Sequence, residues 1–217
     1  MVRAGILGGT FDPVHFGHLR AAEEVADAFN LSTIMFIPAA KPPHKDGGEL
    51  TSFTHRWRML ELALAGNPRF ALSDLENHRP GKSYSVETLT QLLGQLGQGA
   101  LLYFVVGLDA FLALPTWHRY QDLFSLCHFV VVTRPGYSLA QLSHMLHAAV
   151  SERYRFDEQV SGFIHPEHRT VFVHQVTIMD ISSSKIREYL SRGRSVRYLL
   201  PVEVEAYIHE QGLYGRR

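Results

Sequence analysis

The stretch Ala4-Gly5-Ile6-Leu7-Gly8-Gly9-Thr10-Phe11-Asp12-Pro13-Val14-His15-Phe16-Gly17-His18-Leu19 decides the fold. Its apolar beginning reads as a buried strand that runs into a Gly-Gly turn. Residues 18–29 then carry Leu19, Ala22, Val25, Ala26 and Phe29 at helical spacing. The two glycines let the backbone approach a ligand closely. A helix starting near Gly17 or His18 presents an anion-attracting N-terminus there. His15 and His18 lie three apart at the helix entrance, and each offers an N–H donor to a phosphate oxygen. Competing motifs fit less well. Gly8-Gly9 lacks the G-x-G-x-x-G pattern of dinucleotide sites, and Gly17 is followed by His18 rather than the Lys of a P-loop. A zinc pair would need further close ligands, so no residue is assigned to a metal. A tight turn with incidental histidines is the structural alternative. The agreement of glycine turn, strand end and helix start favours phosphate.

The same alternation continues along the chain. Ile34–Ile37, Phe70–Leu72, Leu101–Val106, Phe129–Thr133 and Thr170–Val173 read as strands. Residues 54–64, Ser85–Leu96, Leu139–Val150, Ser183–Ser191 and Val202–Gln211 read as helices, with Ser85 a candidate N-cap. Continuous apolar strands between helices predict an α/β fold: a doubly wound parallel sheet covered on both faces, with a small helical C-terminal part over 181–217. We expect one domain over 1–217. Residues 151–169 fit no clear element and read as a loop or small insertion. Right-handed crossovers gather the loops after the strands on one edge, where ligands bind.

Composition excludes several classes. The 217 residues hold 21 Lys+Arg, 21 Asp+Glu and 13 His, with 46% hydrophobic residues. A disordered chain would be less apolar, and a general nucleic-acid binder more basic. The single cysteine, Cys127, rules out a disulfide framework and, beside Phe129–Val132, reads as a core thiol. No charged-then-apolar leader is visible, and the apolar run Leu101–Leu114 is too short and too polar for a membrane span. A cytoplasmic protein is expected, with no nucleic-acid or membrane partner. Neutrality conceals asymmetry: residues 46–180 are net −3 and residues 181–217 net +3.

Within the basic end, Asp180-Ile181-Ser182-Ser183-Ser184-Lys185-Ile186-Arg187 places hydroxyls before a helix and an arginine on its first turn. A capped helix N-terminus plus a guanidinium fork suits phosphate oxygens. An ordinary serine cap followed by a solvated basic helix is the alternative reading. Taken together, Gly8-Gly9-Thr10-Phe11-Asp12-Pro13 with His15-x-Gly17-His18, and Ile181–Arg187, resemble the two motifs of the nucleotidyltransferase superfamily marked by (H/T)-x-G-H. That resemblance implies transfer of a nucleoside monophosphate from a triphosphate. Catalytic roles then fall to His15, His18 and Arg187. Nucleotide-binding roles fall to Gly8, Gly9, Thr10, Phe11, Ile181, Ser182, Ser183 and Ser184, the last replacing the usual Thr.

Further segments resemble the bacterial nicotinate-mononucleotide adenylyltransferases within that superfamily. They are Pro42–Lys45, Gly81–Leu89, Val105–Ala110 with Trp117, Arg134-Pro135-Gly136, and Tyr198–Pro201 with Val204, Tyr207, Ile208, Leu213 and Tyr214. The resemblance implies that ATP and nicotinate mononucleotide give deamido-NAD and pyrophosphate, with Mg²⁺ held mainly through the ATP phosphates. Gly107 and Asp109 would serve ATP, and Asp109 also the acceptor ribose or magnesium's water shell. Lys45, Tyr84, Ser85, Trp117 and His118 would line the acceptor site. Lys45 suits a phosphate, Trp117 a pyridine ring, and the helix start at Tyr84-Ser85 the nicotinate carboxylate. Lys45, Trp117 and Asp109 have plainer readings as a solvated loop lysine, a core tryptophan and a helix N-terminal acid. Rival functions are a related transferase acting on phosphopantetheine, an inactive nucleotide sensor and a dinucleotide-dependent oxidoreductase. Oligomeric state, monomer or homodimer, stays open at this level.

Overall fold

In the computed structural model, residues 2–43, 50–97, 99–133, 136, 138–177 and 179–215 are described. The predicted opening unit forms as strand β1 (Arg3–Gly9) and helix α1 (Phe16–Ala28). There follow β2 (Thr33–Pro38), α2 (Phe53–Leu64), β3 (Phe70–Leu72), α3 (Ser85–Leu96) and β4 (Leu101–Gly107). Next come α4 (Leu108–Leu112), a 3-10 turn over Leu114–Thr116, α5 (Tyr120–Leu126), β5 (His128–Thr133) and α6 (Leu139–Ala149). The chain closes with β6 (Arg155–Asp157), β7 (Gly162–Ile164), β8 (Val171–Gln175), α7 (Ser183–Ser191) and α8 (Val202–Glu210).

The strands form one sheet in the order β3-β2-β1-β4-β5-β8-β7-β6. The six from β3 to β8 in that order run parallel. Their composition explains why. Along β4, Leu102, Phe104 and Val106 enter one core while Tyr103 and Val105 enter the other. Such a strand has no face to offer water, so helices must cover both sides. The first core packs α3, α5 and α6; the second packs α1, α2, α7 and α8. The helical C-terminal part is thus fastened into the second core through Ile186, Leu190, Val204 and Ile208. Cys127 is buried, as its apolar surroundings require.

The sheet departs from the expected all-parallel form at one edge. Residues 151–169, unassigned from sequence, contain the β6–β7 hairpin, which pairs antiparallel to β8. Three-residue strands are too short for a period of two to register. The hairpin is anchored by Tyr154, 0% exposed, whose hydroxyl donates to the Arg169 carbonyl at 3.1 Å. Gly162 permits the close approach: a Cβ there would lie 2.8 Å from the Val171 carbonyl oxygen.

From β1 the chain winds out to β3, then returns to lay β4 on the other side of β1. The loops after β1 and β4 therefore leave in opposite directions and open a crevice at the C-terminal ends of those strands.

Candidate active site

That crevice is a cleft of about 1230 Å³. It is lined by Gly8, Gly9 and Thr10 from the end of β1, by His15, Gly17 and His18 at the start of α1, and by Val106, Gly107 and Asp109 at the β4–α4 junction. Tyr84, Ser85, Trp117 and His118 line it from the start of α3 and the turn before α5, and Ile181 from the approach to α7. Most of the residues singled out from sequence, from Gly8 to Ile181, thus meet in one space set by the topology, while Phe11, Ser182, Ser183, Ser184 and Arg187 do not line it.

The histidine pair has a defined geometry. Helix α1 begins at Phe16, slightly earlier than expected, and His15 is its N-cap residue. The two imidazoles stack with centroids 3.7 Å apart. The backbone N–H of His15 donates to His18 Nδ1 at 3.3 Å. An Nδ1 that accepts leaves the proton of a neutral imidazole on Nε2, so His18 has an Nε2–H donor. Burial lowers the His15 pKa to about 4. Burial first, and the neighbouring His15 second, hold His18 well below the usual histidine range. Near neutral pH both rings are uncharged donors. Gly17 allows the arrangement, because a Cβ there would lie 3.0 Å from His15 Nδ1 and 3.1 Å from His15 Cε1.

The loop between β1 and α1 is held by side chains from elsewhere. Arg56, 1% exposed, donates through Nη1 to the Thr10 carbonyl at 2.8 Å. Ser183 Oγ donates to the Pro13 carbonyl at 2.8 Å, and Arg187 Nη1 to the Asp12 carbonyl at 2.7 Å. These contacts add to three readings from sequence and correct the place of Arg187 on its helix. Arg187 is the fifth residue of α7, beyond its first turn, and it does not line the cleft. The Ser183 hydroxyl is spent on the loop rather than directed at a ligand. Phe11 is 2% exposed, its ring edge-on to His18 with centroids 5.1 Å apart, so it supports the site from below. Ser182 is the N-cap of α7, accepting from Lys185 N at 3.2 Å, while Ser184 Oγ accepts from Arg187 Nη2 at 3.5 Å.

At the start of α3, Tyr84 rather than Ser85 is the N-cap, and Ser85 is the first helical residue. First-turn amides lack intrahelical acceptors, so this end still offers donors to an anion. Arg79 Nη2 holds the Tyr84 carbonyl at 3.4 Å and Thr88 Oγ1 at 3.0 Å. The Tyr84 and His118 rings lie 4.3 Å apart. Trp117 packs on Phe104 with ring centroids 6.3 Å apart and also lines the cleft. Asp109 sits in the first turn of α4 and lines the cleft. Lys45, with Arg134 and Pro135, lies outside the described residues.

Sequence reasoning missed Asp12, Arg56 and Tyr214 as parts of the site's foundation. Asp12 stood inside a motif and could have been questioned. Arg56 carries no local signal, and Tyr214 stood only in a C-terminal segment that resembles the family. Three further histidines have partners away from the cleft: His55 pairs with Tyr207 at 2.8 Å, His147 with the Tyr154 carbonyl at 2.9 Å, and His128 accepts from Thr170 N at 3.2 Å. Among the described residues, no group of three or more His, Cys, Asp or Glu could hold a metal ion. No helix there is long and apolar enough to cross a membrane.

Comparison with known proteins agrees with this geometry. The cytidylyltransferase-like family matches residues 6–189. The chain is 47% identical over 215 residues to the "Probable nicotinate-nucleotide adenylyltransferase" of Geotalea uraniireducens, covering 99% of each. It is 46% identical to the protein of the same name in Geotalea daltonii, again covering 99% of each. Among solved structures it resembles the Plasmodium falciparum nicotinic acid mononucleotide adenylyltransferase complexed with NaAD. That likeness has a TM-score of 0.75 at 18% identity, covers 99% of this chain and 98% of that one, and is a likeness of fold. The same parasite protein complexed with APC superposes with a TM-score of 0.73 over the same shares, also at 18% identity.

Proposed function

Because this chain belongs to the cytidylyltransferase-like family and, within it, to the nicotinate-nucleotide adenylyltransferases of NAD biosynthesis, we propose how its own residues transfer AMP from ATP to nicotinate mononucleotide. The 5′-phosphate of the acceptor attacks the α-phosphorus of ATP in line. A bond forms from acceptor oxygen to α-phosphorus, the bond to the β-phosphate oxygen breaks, and pyrophosphate leaves with the electron pair. A phosphate monoester is already largely ionised at pH 7, so no general base and no covalent intermediate are required. The protein positions the phosphates and neutralises charge.

The observation that carries this reading is the stacked, neutral His15–His18 pair at a helix N-terminus in the main cleft. With Nδ1 of His18 occupied by the His15 amide, Nε2–H donates to the transferring or leaving phosphate. Gly8, Gly9 and Thr10 supply close backbone, and Ile181 with the capped start of α7 supplies the second anion-attracting terminus. Arg187 completes the phosphate site through guanidinium N–H groups beyond the one given to Asp12. Asp109 receives ribose hydroxyls. The α3 N-terminus at Tyr84-Ser85 receives the nicotinate carboxylate, Trp117 and His118 flank the pyridine ring, and Lys45 meets a phosphate. Mg²⁺ bound through the ATP phosphates would supply charge neutralisation there. The carboxylate of Asp109, which lines the cleft, fits a contact to that ion's water shell. The enzyme acts in the cytoplasm on ATP and nicotinate mononucleotide, with no nucleic-acid or membrane partner.

The test is pyrophosphate release and deamido-NAD formation on mixing ATP with nicotinate mononucleotide, with nicotinamide mononucleotide and phosphopantetheine in parallel. Nicotinate mononucleotide should be the preferred acceptor. No release, or preference for phosphopantetheine, refutes the proposal.

A further inference from the structure

We propose that Tyr214 is a positioning residue for adenylyl transfer: its hydroxyl, through Asp12, sets the loop that carries the histidine pair. Asp12 lies three residues before His15 and is 2% exposed. Its Oδ1 accepts from Tyr214 Oη at 2.6 Å, across 202 residues of chain. Its Oδ2 accepts from the Thr51 amide at 3.5 Å. Two further cations face this carboxylate and hydroxyl, Arg56 from α2 and Arg187 from α7. Arg56 Nε donates to the Thr51 carbonyl at 2.9 Å while its Nη1 holds Thr10. The loop is therefore gripped at Thr10 by Arg56 and at Asp12 by Tyr214 and Arg187, on either side of Phe11.

Phe11 connects this grip to the chemistry. Its φ of 50° places it in the left-handed region, where a bulky residue persists only if neighbours hold it. Its ring lies beneath Gly9 and edge-on to His18. A rotation of the Asp12 peptide would therefore carry Phe11, and with it the His18 ring. Tyr214 itself does not line the cleft; its hydroxyl reaches Asp12 of the loop and also the Thr51 side chain. The backbone at Tyr214 is also left-handed, with φ 60°, which bends the tail so that the side chain turns back to Asp12. Removing the hydroxyl leaves a buried carboxylate oxygen without its donor, and such an oxygen drives local rearrangement rather than remaining unpaired.

The inference rests on the adenylyltransferase reading, and its test separates the two. Wild type is assayed first for pyrophosphate release from ATP and nicotinate mononucleotide; failure there refutes the function and not this role. Tyr214→Phe keeps the ring and removes only the hydroxyl. We expect kcat to fall about tenfold, with KM for both nucleotides within about twofold, because misplacement by a fraction of an ångström acts on the transition state. The assay is run well below the variant's melting temperature, so loss of folded protein does not contribute. Asp12→Asn traces the route: the double variant should be no slower than the slower single one. An unchanged kcat in Tyr214→Phe overturns the proposal, as do independent, multiplicative losses in the double variant. If Asp12→Asn does not fold, the kcat and KM of Tyr214→Phe alone decide.

Discussion

Replacing Gly17 by alanine sets stability against catalysis at one atom. Gly17 is the second residue of α1, and its added Cβ would lie 3.0 and 3.1 Å from two atoms of the His15 ring. An ordinary contact begins near 3.4 Å, so the ring must retreat by roughly 0.4 Å. It cannot do so alone, because His18 stacks on it at 3.7 Å. Alanine meanwhile favours the helix by up to about 1 kcal/mol over glycine, which offsets the cost of the contact. Melting temperature should therefore stay within about 4 °C of wild type. A displacement of 1 Å can cost about a hundredfold in rate, so a few tenths should cost about tenfold, or ~1.4 kcal/mol in the barrier. Steady-state pyrophosphate release gives the rate, and scanning calorimetry the stability. A variant with kcat within twofold of wild type would refute the idea that the histidine pair must sit where Gly17 lets it sit.

Other perturbations probe neighbouring steps. His18→Ala should lower kcat by about 10²–10³ while changing KM little, as expected for a donor that acts on developing charge; a predominantly KM effect in initial-rate kinetics would remove His18 from that role. Arg187→Lys keeps the charge but loses the planar fork that reaches both Asp12 and Ser184, so kcat should drop while far-UV circular dichroism is unchanged. Acid should destabilise the fold through His15, whose folded pKa is lowered from 6.5 to about 4. Above pH 6.5 neither state takes the proton. Below it the unfolded chain does first, so stability falls as pH drops through that window, by up to about 3 kcal/mol. Urea titrations from pH 7.5 to 5 check this, and His15→Asn should flatten the slope. Tyr154→Phe should cost about 1 kcal/mol by leaving the Arg169 carbonyl without its donor. Its kcat should match wild type, because the β6–β7 hairpin stands on the far edge of the sheet from β1.

The amino-acid sequence by itself determined the parallel sheet, because β1, β4 and β5 are continuously apolar and such strands need cover on both faces. It also determined the histidine pair and the serine-capped helix, because turn glycines, helix starts and donor residues act on their immediate neighbours. It left residues 151–169 unread, since three-residue strands show no period, and it assigned to a ligand Ser183, whose hydroxyl goes to the Pro13 carbonyl, and Phe11, whose ring is buried edge-on to His18. Only the tertiary structure decided those directions. Whether a guanidinium meets a phosphate or the Asp12 carbonyl depends on where α7 docks against the β1–α1 loop, and docking is set by cores that draw on the whole chain. The same holds for Asp12, Arg56 and Tyr214. Asp12 and Tyr214 stand in segments that resemble the family and Arg56 in none, yet the three become one support only because the fold brings positions up to 202 residues apart into contact.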